Sequence, residues 1–271
     1  MPTAITSIFL PAYTLWQREL IRFFRQKSRV IGAIFPPLIF WFLIGSGLGN
    51  SFQHTPLSSN FYIAGMNYLQ YFFPGTVILV VLFTAIFSTI SVIEDRQEGF
   101  LQSVMVAPVS NFSIVLGKIA GGATLAFIQG SLFMLLSLPI GITFRFLPIL
   151  YLFVLLFFIA LGLTGLGFTI AWQMDSTQGF HAIMNLFLMP MWFLSGSLFP
   201  IESAPGWLRW IMLFDPVTYG VTGLRYGCYA SALGPIKTFP SPIFCLGIVL
   251  LFSILMFALS VIGCSQKTRR I

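Results

Sequence analysis

Charge is scarce in this sequence and gathers in one place. Only 8% of the residues are charged, yet Glu94, Asp95, Arg96 and Glu98 stand together at the head of EDRQEGFLQSVMVAPVSNFSIVLGK, the stretch from Glu94 to Lys118. Glu94 and Glu98 are four residues apart, so a helix through them puts both carboxylates on one face. The Gly-Lys pair in VLGKIAGG does not make a phosphate loop, because Phe112 stands where its first glycine is required and Ile119 replaces Ser or Thr. There is no His-Glu-x-x-His metal motif, no Gly-x-Ser-x-Gly elbow and no Cys/His cluster. Cys228, Cys245 and Cys264 are odd in number and lack paired spacing, which supports neither a disulfide framework nor a metal site. These residues point to recognition without catalysis, with no cofactor or metal held by the chain. If the protein moves something uphill, another polypeptide must supply the energy.

The elements that position these residues follow from composition. Of 271 residues, 57% are hydrophobic, and the mean hydropathy is +0.93. A soluble domain carries about a quarter charged residues, so the expectation is an all-α polytopic membrane protein forming a single transmembrane domain over 1–271. About 20 apolar residues cross a bilayer core of roughly 30 Å. Six segments qualify: Val30 to Leu48, Tyr71 to Ile93, Ile119 to Ile142, Leu147 to Trp172, Phe180 to Phe199 and Ile243 to Val261. Their continuous runs lack the strict alternation of a barrel.

Lys and Arg orient them. One face collects Arg18, Arg22, Arg25, Lys27, Arg29, Arg96, Lys118, Lys267, Arg269 and Arg270, against Arg145, Arg209, Arg225 and Lys237 on the other. Both termini, the loop 94–118 and the tail 262–271 are therefore expected in the cytoplasm. The net charge of +7 is explained by this asymmetry and gives no reason to expect nucleic acid. In the N-terminal tail the charges follow the apolar patch instead of preceding it, so the first span is expected to act as an uncleaved insertion signal.

Three features lie outside plain spans. In the tail 1–29, Arg18, Arg22, Arg25 and Arg29 share one helical face, opposite Tyr13, Trp16, Leu20, Phe23 and Phe24. This predicts an amphipathic helix in the headgroup layer, contacting membrane lipid, either as a basic anchor or as an elbow that transmits a partner's movement. In the loop 94–118, Gly99 can relax the preceding helix and Pro108 with Ser110 and Asn111 can start another. The readings are a solvated turn or a short docking helix. In the region 201–242, WLRWIMLF is too short to span, Asp215 can cap a helix and Pro216 suits its first position. Two short re-entrant helices are expected there, with a seventh span as the competing reading. Mid-membrane acids or histidines, common in ion-coupled transporters, are not expected within the spans. Gly45 and Gly49, Gly117 and Gly121, and Gly162, Gly165 and Gly167 are expected to allow close helix packing.

The stretch from Glu94 to Lys118 resembles the loop after the second span in ATP-binding-cassette export permeases of the second type. Glu94, Glu98, Gly99, Leu101, Pro108, Val109, Ser110, Gly117 and Lys118 match that family's pattern. FLSGSLFPIESAPGWLRWIMLFDPVTYGVTGLRY resembles its other signature at Ser195, Gly196, Phe199, Pro200, Pro205, Trp207, Leu208, Pro216, Thr218, Tyr219 and Arg225. Phe100, Asn111 and Asp215 depart from the usual Thr, basic residue and Asn. The resemblance implies a dimer, with a second copy or a paralogue, of six-span subunits in the bacterial plasma membrane, above two cytoplasmic ATPase subunits that hold ATP and Mg. It implies that Glu94, Glu98, Gly99, Leu101 and Pro108 belong to the surface on which the ATPase docks. It also implies that the short helices carrying Pro205, Trp207, Asp215, Pro216, Tyr219 and Arg225 cap the path externally. A membrane scaffold without transport of its own is the alternative. No motif marks the substrate, and the 31 phenylalanines are read as lipid-facing packing.

Overall fold

A computed structural model describes residues 4–47, 67–142, 146–229 and 240–268. Leu48, Gly49, Arg145, Lys237, Arg269 and Arg270 lie outside the described residues, as does 230–239 of the region 201–242. The described residues are helical: α1 (Ala4–Arg25), α2 (Lys27–Gly47), α3 (Tyr68–Gln97), α4 (Phe100–Val106), α5 (Asn111–Met134), α6 (Phe146–Gln173), α7 (Thr177–Trp192), α8 (Gly206–Phe214), α9 (Pro216–Tyr229) and α10 (Pro242–Thr268).

Five of these elements are long and apolar enough to cross a membrane: α2, α3, α5 with the tight turn Leu135–Ile140 that extends it, α6 and α10. The expected fifth span, Phe180 to Phe199, is shorter than predicted. Its helix α7 has 16 residues, contains Pro190, widens into a π turn at Phe193–Ser197 and breaks where Gly196 takes φ +79°. Proline removes a backbone donor, and a left-handed residue cannot continue the ladder. Other limits also move: α3 runs through Glu94 to Gln97, and α5 begins at Asn111, so helix occupies both ends of the loop 94–118.

Helix α3 is the axis of the fold. It is buried along almost its whole length by α2, α5, α6, α7 and α9. Its polar residues cause no penalty, because Thr76, Thr84, Ser88 and Thr89 donate to carbonyls three or four residues back on their own helix. Large apolar side chains of α2 and α10, among them Phe42, Leu43 and Leu251, point outward. An apolar exterior around a polar-lined, tightly packed axis is the arrangement a bilayer favours. Small residues set the spacing: Gly167 faces Thr89 of α3, and Gly162 and Gly165 face Phe252 and Met256 of α10.

Candidate functional site

The charge cluster of the sequence forms the last turn of α3, and its partners come from three other helices. Asp95 is the hub. Arg18 of α1 grips it with two parallel hydrogen bonds, Nη1 to Oδ2 and Nη2 to Oδ1, each 2.7 Å. Arg22 of α1 donates to the same carboxylate and to Glu94 Oε2 (2.8 Å) and Glu98 Oε1 (3.1 Å). Arg29 donates to Glu94. From α5, Lys118 reaches Asp95 and Glu19, and Ser91 donates to Glu19 Oε2 at 2.6 Å. Four cations thus meet four carboxylates, and the Asp95 side chain is 0% exposed. Buried charges are tolerable only when paired and saturated with hydrogen bonds, as here. The Asp95 carboxylate holds the Arg18 guanidinium above its ordinary pKa, chiefly through the direct hydrogen bond.

This geometry redistributes the predicted amphipathic face. Arg29 belongs to α2, beyond a break at Gln26, instead of sharing α1 with the other three. Arg18, Arg22 and Arg29 turn toward the acids, whereas Arg25 is exposed and has no hydrogen-bond partner among the described residues. The strip of α1 that packs inward is Ala12, Leu15, Glu19 and Phe23. It lies on Gly117 and Gly121 of α5, where an added Cβ would come within 2.6 Å of Ala12 O and 2.7 Å of Glu19 Cβ. Trp16 adds a hydrogen bond from Nε1 to Thr124 Oγ1 (3.1 Å). Sequence reasoning missed Glu19, left Asp95 without a role and counted Lys118 only among the orienting cations and the family-pattern residues. The available signal was that Glu19, an acid, follows the apolar i, i+3, i+7, i+11 series of Ala12, Leu15 and Phe23.

From this base α4 projects. Gly99, at φ +76°, makes the left-handed step that lets the chain leave α3 and start again. Leu101 is buried and anchors the short helix, and the Arg18 guanidinium lies 3.7 Å over the Phe100 ring. The departure at Phe100 therefore has a structural use, since a ring face can bind a guanidinium. Gln102, Ser103, Val106, Ala107 and Pro108 form the outer face, with Val106 89% exposed. Ser110 then caps α5 by accepting from Ser113 N. On its other flank the end of α3 is tied to α6: Arg96 donates to the carbonyls of Trp172 (2.6 Å) and Met174 (2.8 Å) and pairs with Asp175.

The second signature assembles about 36 Å away, the rise of a helix from Asp95 back to Tyr71. The Gly196 carbonyl at the break accepts from Tyr71 Oη (2.9 Å) and Arg225 Nη2 (3.0 Å), and Arg225 also lies 4.1 Å over the Tyr71 ring. Pro205 precedes α8, whose Trp207 is exposed; Pro216 opens α9; Tyr219 Oη donates to Leu213 O (2.9 Å), tying α9 to α8. Asp215 lies between the two helices, with Oδ1 accepting from Val217 N at 2.9 Å.

Two signatures, one at each end of a central apolar helix, match one known constellation. The profile described as ABC-2 type transporter matches residues 12–229, from within α1 to the end of α9. The chain belongs to the ABC-2 type transporter family. It is 30% identical over 230 residues to transport permease ycf38 of Cyanophora paradoxa, covering 83% of this chain and 77% of that one. It is 24% identical over 214 residues to nodulation protein J of Rhizobium leguminosarum bv. viciae, covering 78% and 79%. It is 25% identical over 166 residues to the multidrug ABC transporter permease YbhR of Escherichia coli, covering 59% and 44%. This ABC-2 chain is thus a multi-pass membrane protein of a transport family, and its two irregular ends fall inside the matched segment.

Proposed function

We propose that this chain is the membrane-spanning subunit of an ATP-driven exporter, working as a dimer with a second copy or a paralogue in the bacterial plasma membrane. A separate cytoplasmic ATPase, holding ATP and Mg, docks on α4. Both termini are cytoplasmic, and α7 with its π turn completes a sixth crossing. Membrane lipid meets α1 through its exposed Phe9, Leu10, Tyr13, Ile21 and Phe24, beside the exposed Arg25.

The observation that carries this reading is α4 itself. A seven-residue helix rooted by Leu101 and tipped by Val106 has too little buried surface to be explained by its own chain. It is bolted through Arg18, Asp95 and Arg22 to α1, and through Gly117 and Gly121 α1 rests on α5. A push on α4 therefore moves α1, α3 and α5 together. In this arrangement the acids act inside the permease and the ATPase meets the neutral tip.

The test is co-purification in mild detergent with a candidate ATPase, comparing wild type, Val106→Asp and Glu94→Lys. Wild type is expected to form a complex of two permease and two ATPase subunits that hydrolyses ATP. Val106→Asp is expected to lose the ATPase with an unchanged unfolding temperature, because no buried contact is altered. Glu94→Lys is expected to lower the unfolding temperature, since it faces Arg22 and Arg29 with a cation. A well-folded wild-type chain that binds no ATPase from its own cell supports a scaffold role instead.

A further inference from the structure

The tip of the α8–α9 hairpin holds an acid that the fold leaves half-used. Asp215 is 9% exposed, and while Oδ1 caps α9, the buried Oδ2 has no hydrogen-bond partner among the described residues. One turn on, Thr218 is 1% exposed and its hydroxyl oxygen is likewise buried without a partner among the described residues. No Lys or Arg among the described residues pairs with Asp215; Arg225 is engaged by Gly196 and Tyr71. A buried carboxylate oxygen and a buried hydroxyl left unsatisfied are each costly, and a hydrogen-bond donor from outside the chain would relieve both.

The hairpin also fixes the depth of this acid. The C-terminal end of α9 meets the outer end of α3, where Tyr229 Oη donates to Gln70 O (2.6 Å). Further along, Gly220 packs on Ile78 and Ile159. Helix α9 therefore runs beside α3 with its N-terminus deepest, and Asp215 lies about 18 Å along α3 from Tyr71, near the middle of a hydrocarbon core of roughly 30 Å. The approach to it is apolar: Trp207, Trp210, Ile211 and Phe214 are all exposed and, at i, i+3, i+4 and i+7, form one strip of α8 that ends beside the acid.

Resting on the exporter reading, we propose that Asp215 and Thr218 form the head-group site for the exported molecule, and that this molecule is a cationic amphiphile with an N–H donor. The ammonium supplies the counter-charge and the donor that Oδ2 lacks, Thr218 accepts a second hydrogen bond, and the apolar tail lies along the α8 strip. Burial near the midplane selects for a cation that leaves a neutral pair behind.

The probe is decylammonium, compared with decyl sulfate and decanol, added to the full chain in a non-ionic detergent without any ATPase. Thermal unfolding and tryptophan quenching are recorded for wild type, Asp215→Asn and Thr218→Val. Asp215→Asn keeps an amide oxygen for the Val217 cap, so the hairpin is preserved. Wild type is expected to show a saturable rise in unfolding temperature and saturable quenching with decylammonium only. Asp215→Asn should lose both responses, and Thr218→Val should bind at least several-fold more weakly. Equal responses in wild type and Asp215→Asn, equal responses to decyl sulfate, or no saturable response in a folded wild-type chain would overturn the proposal. Because the assay contains no ATPase, failure here is separable from failure of the exporter reading, which co-purification decides.

Discussion

Asp95 and Lys118 show how an apolar protein can hold charge at its interior end. Each is buried and each touches more than one opposite charge, so removing one partner strands the others. Lys118→Met leaves Glu19 with only Ser91 and a longer 3.6 Å contact to Arg18, strips one cation from Asp95, and is expected to destabilise the protein by about 3–5 kcal/mol. The double variant Glu19→Gln/Lys118→Met should recover much of that loss, because it removes one charge of each sign; unfolding temperatures of wild type and the two variants in detergent check this. A smaller effect is expected at Phe100→Thr, which introduces the residue more usual in the family pattern. Loss of the ring beneath Arg18 should cost about 0.5–2 kcal/mol and loosen α4. Hydrogen exchange over residues 100–106 reports that loosening, and unchanged protection would show that the ring contact adds nothing.

At the scale of elements, two glycines decide whether α1 belongs to the protein or only to the membrane. A leucine at Gly117 would collide with Ala12 O and Leu15 Cβ, contacts made by backbone and the root of a side chain that cannot yield. Gly117→Leu is expected to lift α1 from α5, exposing Glu19 and Leu15 to solvent-borne reagents. A cysteine at Leu15 should label several-fold faster in that background, whereas Gly47→Leu, which meets nothing within 4 Å, should leave labelling unchanged. At the other end, the carbonyl of Gly196 is held by Tyr71 and Arg225. That clamp joins α3, α9 and the broken end of α7, so those three elements respond together to any change in the hairpin.

For the molecule as a whole, the two clusters sit at opposite ends of α3 and differ in kind. The α1–α3–α5 end is a neutral lock of paired charges. The α7–α9 end relies on carbonyls, ring faces and capped helix ends. If both termini are on the side of the lock, reporter tags at residue 2 and after Ile271 should both read cytoplasmic, and a tag at Glu202, which is exposed, should read external. Opposite readings for the two termini would leave the chain with an odd number of crossings and remove α7 as a span.

Much of this was legible in the residues because backbone energetics are local. Long apolar runs had to become helices in a bilayer; Gly99 could relax a helix, Pro216 could open one and Asp215 could cap one, and each does so where the spacing placed it, Gly99 by a left-handed step. Composition determined the membrane class, and two motifs pointed to the family. Which surface each charge would face was not local. The wheel of α1 gathers Arg18 and Arg22 on one side but cannot say what lies there, and their carboxylate is 77 and 73 residues away. That pairing exists because Gly117 and Gly121 let α1 settle onto α5 with Glu19 inward. The shortness of α7 and the course of α9 were likewise decided by packing: one by a break that Tyr71 and Arg225 stabilise, the other by Gly220 packing against Ile78 of α3. Charges placed by helix contacts belong to the tertiary structure, because no short-range preference of the chain distinguishes a lipid headgroup from an arginine's buried acid.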